Sequence, residues 1–336
     1  MAAACINPAV VAKIRSVYAE TGNVSETARR LGVSRGTVIR YRNVSQETET
    51  GDTFTKPVAA RDMMPTRWEA MQMPEPAPEA GGMGMPEPAE ISYTPFDIDT
   101  PGVWGYLSDA HMPFHDKNTI AAAVAEGKRR GVKGWLFNGD MMDCGGMTPH
   151  FRDPTAPIFE DDIQTGRDFF IWMRQQFPKA RFVYKQGNHE LWLPRALAAK
   201  LPELFSLKQI QMPSLLELPN IGCEWVEDNR VINLGKLPVI HGHEIRGGGG
   251  VNPARWLFLR AVSTAMCGHF HRTSEHHEQG LDRRLHGVWS VGCACFLYPK
   301  YDRLNKWNHG YAFIEVANNG HFTVTNRRIL RDGTVA

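Results

Sequence analysis

The rhythm of apolar and polar positions changes three times along the chain. Over residues 7–43 apolar positions recur at helical spacing in short runs. Asn7 and Pro8 have the character of an N-cap and first-turn pair, and predict a helix to about Thr21 with Val11, Ile14, Val17 and Tyr18 on one face. Gly22-Asn23 ends it. Ser25 is the expected N-cap of a second helix through Leu31, and Ser34 that of a third carrying Arg35, Thr37, Arg40, Tyr41 and Arg42. From about Gln46 to Pro95 the pattern dissolves. After Pro101 short apolar runs alternate with longer amphipathic ones. Strands are predicted to end near Ser108 and to cover 134–137 and 181–185, with helices over about 117–130 and 160–176. Further short strands are expected near 231, at 238–240 and at 264–267, with a helix from Asn252-Pro253 to about Leu259. The apolar segments 288–296, 311–316 and 321–329 are more purely β. The fold class this implies is an α/β sandwich of two sheets, with functional loops at strand C-termini, preceded by a small all-α domain.

The chain of 336 residues, 42% of them hydrophobic, is long enough for one sizeable core and a small second one. No apolar run approaches the roughly 18 residues of a membrane helix, so no membrane partner is expected. The N-terminal residues lack the charged-then-apolar pattern of a secretory signal. The six cysteines show no framework spacing, and Cys293-x-Cys295 reads as two packing residues on one strand face, which fits a reducing cytoplasm. The net charge of +2 conceals a partition: seven basic residues against two acidic over 1–45, three against nine over 46–95, and near balance beyond. The organisation read from this is a basic helical domain at 1–45, a linker at 46–95 and a catalytic body at 96–336. In the linker, Met73-Pro74-Glu75-Pro76-Ala77-Pro78-Glu79 is echoed by Met85-Pro86-Glu87-Pro88-Ala89-Glu90, a composition with too little to bury to offset chain entropy. It predicts a disordered segment in which Trp68 is an isolated aromatic.

In the basic head, Ala28, Gly32 and Val38 follow an A-x3-G-x5-V spacing: a small residue for close helix crossing, a glycine for the left-handed turn, a valine for the core. This resembles the helix-turn-helix of transposases, resolvases and phage regulators, whose third helix enters the DNA major groove. Ser34, Arg35, Thr37, Arg40 and Arg42 are then the candidate contacts, Arg35 and Thr37 for bases, Arg40 and Arg42 for phosphates. A single copy binds weakly and with steep salt dependence, so dimerisation or tethering is implied. The oligomeric state is left open.

Five segments of the body each follow a short apolar run and carry metal-binding side chains: Ser108-Asp109-Ala110-His111, Asn138-Gly139-Asp140-Met141-Met142-Asp143, Gly187-Asn188-His189-Glu190, His241-Gly242-His243 and Gly268-His269-Phe270-His271. Six of the thirteen histidines fall in them. Asp109 and His111, two apart at a strand end, are expected on one face. Asp140 offers two oxygens that can bridge two cations, Asn188 a neutral carbonyl, and His241, His269 and His271 three nitrogens. Carboxylate and imidazole together suit Mn²⁺, Fe or Zn²⁺ better than Ca²⁺. Arg246 precedes the run Gly247-Gly248-Gly249-Gly250 and is a candidate phosphate clamp.

The series D-x-H, G-D-x-x-D, G-N-H-E, H-G-H and G-H-x-H, in order over about 100–275, resembles the five motifs of the calcineurin-like metallophosphoesterases. The resemblance implies two divalent metal ions, Mn²⁺ foremost. Asp109, His111, Asp140 and His271 would hold one, and Asp140, Asn188, His241 and His269 the other. It also implies His189 as the general acid, oriented by Asp143, and leaves His243 either behind a ligand, facing substrate or capping a helix. The function expected is two-metal hydrolysis of a phosphoester, with DNA as substrate through nuclease or end-processing action. The alternatives are a phosphatase or cyclic-nucleotide phosphodiesterase with a separately regulatory head, and a DNA-binding regulator with an inactive hydrolase domain. Joined to a helix-turn-helix, such a body also resembles proteins of phages and prophages.

Overall fold

The computed structural model describes residues 8–41, 93–150, 154–227 and 230–336. The chain divides after Pro88 into two compact units. The predicted linker, including Trp68, lies outside the described residues except at its last few positions, and Arg42 lies outside them too.

The described residues of the first unit form three helices, α1 (Pro8–Thr21), α2 (Val24–Leu31) and α3 (Arg35–Tyr41). Ile14, Ala28 and Val38, one from each helix, form its core, with Tyr18, Leu31 and Tyr41 packed around them. Gly32 has φ +63° and ends α2 in the left-handed region, where a Cβ is costly. The cap of α2 is Asn23 rather than Ser25: its Oδ1 accepts from the amides of Ser25 and Glu26 at 2.9 and 3.2 Å. The side-chain carbonyl oxygen of Asn23 accepts from both amides, which places the helix start two residues earlier. Ser34 caps α3, accepting from the Thr37 amide at 3.1 Å.

The second unit is an α/β sandwich. Its strands are β1 (Phe96–Ile98), β2 (Gly102–Leu107), β3 (Gly134–Asn138), β4 (Arg181–Lys185), β5 (Cys223–Val226), β6 (Ile232–Leu234), β7 (Leu237–Val239), β8 (Ala265–Cys267), β9 (Ser274–Gln279), β10 (Leu285–Ser290), β11 (Gly310–Val316) and β12 (Phe322–Arg328). One sheet has the order β12-β11-β2-β3-β4-β5 and the other β1-β6-β7-β8-β10-β9. In the first, β2 to β5 run parallel, as their crossover helices require, and β11 and β12 extend them antiparallel. The helices are α4 (Lys117–Arg130), α5 (Phe159–Gln176), α6 (Trp192–Lys200), α7 (Met212–Leu215), α8 (Leu218–Ile221) and α9 (Pro253–Ala261).

Period-2 alternation sorts the β2 to β4 side chains into two layers. Trp104, Tyr106, Leu136 and Val183 face the other sheet, meeting Ile232, Leu234, Val239 and Met266. Trp135, Phe137, Phe182 and Tyr184 face outward under α4 to α8. Both faces are buried, so these strands read as continuous apolar runs. On the far side α9 lays Ala254 and Leu257 against Ala265 and Val288. The apolar run 288–296 is a strand only to Ser290. Cys293 and Cys295 lie beyond it in isolated bridges to His309 and His115, so the run is apolar because it is buried, not because it is extended. Among the described residues no helix is long and apolar enough to cross a membrane.

Candidate metal centre

β2, β3 and β4 end at one level, with Leu107 opposite Phe137 and Phe137 opposite Tyr184. The residues after them therefore emerge side by side at the C-terminal edge of the sheet. In the other sheet β7 and β8 pair in parallel, Val239 opposite Met266, and send out His241 and the 268–271 loop. Backbone bonds lace these loops together. Asp109 N donates to Gly139 O at 3.1 Å, His111 N to Asp140 O at 3.0 Å, and Gly268 N to His241 O at 2.9 Å. His189 N donates to Asp140 Oδ1 at 2.9 Å, and His269 N reaches across to the Asp109 carboxylate at 2.9 and 3.1 Å.

Asp109, His111, Asp140, His269 and His271 all have positive φ, between 46° and 63°. Each such position costs about 1–3 kcal/mol and persists only where its surroundings enforce it. Asp109 and His111 thus converge through two left-handed residues beyond the strand end, not through strand alternation, and His269 and His271 repeat the device. Two glycines make room for the crowding. A Cβ on Gly139 would strike His241, and one on Gly187 would strike Asp140.

The side chains meet in one buried space. Asp109 Oδ1 lies 3.2 Å from His271 Nε2, Asp140 Oδ2 3.2 Å from His241 Nε2, and His111 Nε2 3.2 Å from His271 Nε2. Asp140, His241 and His269 place donor atoms within 4.8 Å of one another, as do His111, Asp140 and His189. Burial pushes the carboxyls of Asp109 and Asp140 up, but the neighbouring imidazoles outweigh it and hold both below the ordinary range. Burial acts downward on His241 and His271, and the Asp140 and Asp109 charges lift both to about 10. His269, buried beside His241, falls to about 3. Two protonated imidazoles thus balance two carboxylates, and a cation entering here must displace those protons. The residues fit such a cation. Asn188 Oδ1 is buried with no hydrogen-bond partner, which leaves an oxygen donor for a ligand the protein does not itself supply.

An outer ring holds the donors in place. Glu190 accepts from the amides of Asp140, Met142 and Gly187 at 3.0, 3.0 and 2.8 Å and from the Tyr184 hydroxyl at 2.6 Å, fastening the second and third motif loops together. Glu244 accepts from the amides of His241 and Gly242 at 3.0 and 2.7 Å and pairs at 2.9 Å with Lys185, a fully buried side chain of β4. Burial works against the Glu244 carboxylate, yet Lys185 brings it down to about 2. Asn138 O accepts from His241 Nδ1 at 2.7 Å, aiming Nε2 into the centre. Glu190 was visible only as the residue that ends its motif; Glu244, just past the H-G-H motif, and Lys185, a cation in an apolar strand, had no signal of this role.

His189 and Asp143 are arranged differently from expectation. His189 Nδ1 meets the Asp143 backbone carbonyl at 2.6 Å, while the Asp143 carboxylate is 3.8 Å away and sits closer, 3.2 Å, to His111 Nδ1. A carbonyl only accepts, so Nδ1 carries the proton and Nε2 faces the centre, 3.9 Å from Asp140 Oδ2. The Trp192 indole lies against the ring at 3.9 Å. Cys295, read from the sequence as a packing residue, has Sγ 4.0 Å from His271 Nδ1. His243 is half-buried beside the centre, its ring 5.3 Å from His241 and 6.2 Å from His269. Arg246 is exposed and forms no ion pair among the described residues. In the head, Ser34 and Arg35 are exposed, Thr37 is half-buried, and the hydroxyls of Ser34 and Thr37 bond each other at 2.8 Å.

No protein-family model and no curated protein matches the chain. Solved structures similar to it include Vacuolar Protein Sorting 29 from Cryptosporidium parvum, 12% identical, covering 70% of this chain and 95% of that one with a TM-score of 0.38. The phosphoesterase Yfce from E. coli is 13% identical, covering 66% and 98% with a TM-score of 0.32. A dimetal phosphatase from Danio rerio is 10% identical, covering 68% and 96% with a TM-score of 0.33.

Proposed function

We propose that residues 96–336 form a two-metal-dependent phosphoester hydrolase of the calcineurin-like type, and that it acts on DNA as a nuclease or end-processing enzyme. One observation carries the hydrolytic reading. Five loops from two sheets bring three oxygen-bearing and four imidazole side chains to one buried point, five of them through left-handed backbone. Asp109, His111, Asp140 and His271 are the set for one cation, and Asp140, Asn188, His241 and His269 the set for the other. Two divalent cations bound there, Mn²⁺ foremost and Fe or Zn²⁺ also suited, supply Lewis acidity toward phosphorus and a water that is nucleophilic at neutral pH. His189 handles protons from the side. With Nδ1–H committed to the Asp143 carbonyl and burial lowering the ring to about 4, Nε2 is the atom that would take up a proton and pass it to a departing alkoxide. Trp192 keeps the ring in that pose. His243, whose ring lies 5.3 Å from that of His241, and Arg246 are the candidate substrate contacts.

The DNA reading is supported by the head, whose Ala28, Gly32 and Val38 sit as a helix-turn-helix requires and whose segment carries seven basic residues against two acidic. Tethering raises the local concentration of the hydrolase near bound DNA without fixing its geometry. Cleavage of single- and double-stranded DNA by the Mn²⁺-loaded chain, set against phosphomonoesters and cyclic nucleotides, tests it. Cleavage of either DNA form is expected. Hydrolysis of the small esters alone moves the chain to the phosphatase reading with a separately regulatory head.

A further inference from the structure

A cavity of about 220 Å³ adjoins the last motif loop, lined by Arg272, Thr273, Lys306, Asn308 and Arg328 among others. No carboxylate lines it, and none of its three cations forms an ion pair among the described residues. Arg272 is half-buried, its guanidinium fixed by the carbonyls of Gly250 and Val251 at 2.6 and 3.4 Å. Lys306 and Arg328 stand exposed at the same cavity. The amides of the first turn of α9 are already used, Ala254 N by Ser274 Oγ and Arg255 N by Asn252 Oδ1, so the side chains alone make this an anion cavity.

The cavity wall and the metal centre are one cross-linked piece. Asn308 N donates to His271 O at 2.9 Å, and the Asn308 amide bonds Thr273 N and Oγ1 at 2.9 and 2.7 Å. Between Lys306 and Asn308, Trp307 sets its indole 4.0 Å from the His271 ring. Tyr301 follows at 6.3 Å from Trp307 and is 73% exposed. His271, Trp307 and Tyr301 thus form one row of rings, and Lys306 and Asn308 of the cavity wall flank Trp307 in the chain.

We infer that the cavity of Arg272, Lys306 and Arg328 is a second phosphate subsite, linked to the metal centre by Trp307 and Tyr301, that takes the next phosphodiester of a nucleic-acid strand. The inference rests on the phosphoesterase reading and names the substrate class of that site. An isolated phosphate ester ends at the metals. A strand continues past them with a base, which the exposed Tyr301 phenol and the half-buried Trp307 indole can stack without regard to sequence, and then a further charge, which an arginine fork and a lysine can hold.

The test uses the full chain. Two esters are compared: thymidine 5′-(p-nitrophenyl phosphate), and the same ester extended by one further phosphodiester-linked thymidine. Extension is expected to raise kcat/KM at least about tenfold, the worth of a charge-assisted hydrogen bond. In Lys306→Gln/Arg328→Gln, two exposed positions whose change spares the core, that ratio falls toward one, and adding Arg272→Gln removes what remains. In parallel, binding of dye-labelled pentathymidylate with Ca²⁺ is followed against salt. The double variant should lower the slope of log K against log salt by roughly 1.4, two contacts at about 0.7 each. Pentauridylate run alongside separates a DNA subsite from one that accepts either sugar. An unchanged ester ratio together with an unchanged salt slope overturns the inference. If the wild-type chain hydrolyses neither ester but the slope still drops in the variant, the phosphoesterase reading falls and the subsite stands.

Discussion

The two sheets bring different chemistry to the same point. The sheet of β2 to β5 supplies every oxygen donor, Asp109, Asp140 and Asn188, with His111 and His189 beside them. The sheet of β7 and β8 supplies only imidazoles, His241, His269 and His271. The oxygen half is braced within its own sheet by Glu190, whereas the nitrogen half is braced by Glu244, whose partner Lys185 belongs to the opposite sheet. Neither half is a cation site alone. An all-imidazole face lacks charge to balance a divalent ion, and the carboxylate face lacks ligands on one side. The centre is a property of the sandwich interface, and the Lys185–Glu244 pair and the His269–Asp109 bond are the struts that hold its halves in register.

The sharpest way to break the comparison is at the residue the two halves share. Asp140→Asn should reduce metal-dependent hydrolysis by at least about 10³-fold, since it replaces one of the two shared oxygens by an NH2 that cannot ligate and removes the charge both donor sets rely on. A steady-state assay across Mn²⁺ concentrations checks it, and activity restored by excess metal would move Asp140 out of the bridging role. His189→Ala is expected to lower kcat by about 10²–10⁴-fold while leaving metal content intact. Loss of metal as well as rate would put His189 among the ligands.

The strut between the halves has its own test. Glu244→Gln strands the Lys185 ammonium in a dry site, and should cost about 3–5 kcal/mol in urea unfolding. The pair Lys185→Met/Glu244→Leu should recover most of that stability yet leave the centre's metal affinity reduced. An unmoved midpoint in Glu244→Gln would mean that the halves are held by packing alone.

The smallest effect lies away from the centre and serves as its control. Glu126 accepts from Arg130, Arg327 and Tyr311 at 2.9, 3.0 and 2.9 Å. Burial raises its carboxyl, but Arg327 and Tyr311 prevail and hold it below its ordinary 4.5. Its folded value is depressed, so ionised Glu126 stabilises the fold above pH 4.5, and that contribution is lost as pH falls through the folded value. The difference in stability between wild type and Glu126→Gln should therefore shrink on acidification below that point, with hydrolysis at neutral pH little affected.

Much of this arrangement can be read from the chain, and the exceptions share a cause. The parallel strands are legible because burial on both faces makes 134–137 and 181–185 unbroken apolar runs. The seven donors are legible because Asp, Asn and His after such runs have no packing explanation. The D-x-H spacing suggests strand alternation, yet Asp109 and His111 converge through positive φ, a backbone choice that side-chain identity barely marks. Asp143 suggests a carboxylate steering His189, whereas its carbonyl does so, and every residue has a carbonyl. β9, Ser274–Gln279, is a polar strand paired only along one edge and shows no apolar period. Cys295 follows an apolar run that reads as a strand but has left the ladder to border His271. Where the backbone acts, sequence pattern is silent.

A centre shared between the two sheets must hold two divalent ions. Calorimetric titration of the metal-free full chain with Mn²⁺ at neutral pH should give two ions per chain, with proton release as His241 and His271 surrender their protons. Asp140→Asn should weaken both binding events, and His241→Ala, on the nitrogen half, should weaken one. Failure of the wild-type chain to bind Mn²⁺, Fe²⁺ or Zn²⁺, or binding that neither substitution alters, would contradict a two-metal centre shared between the sheets.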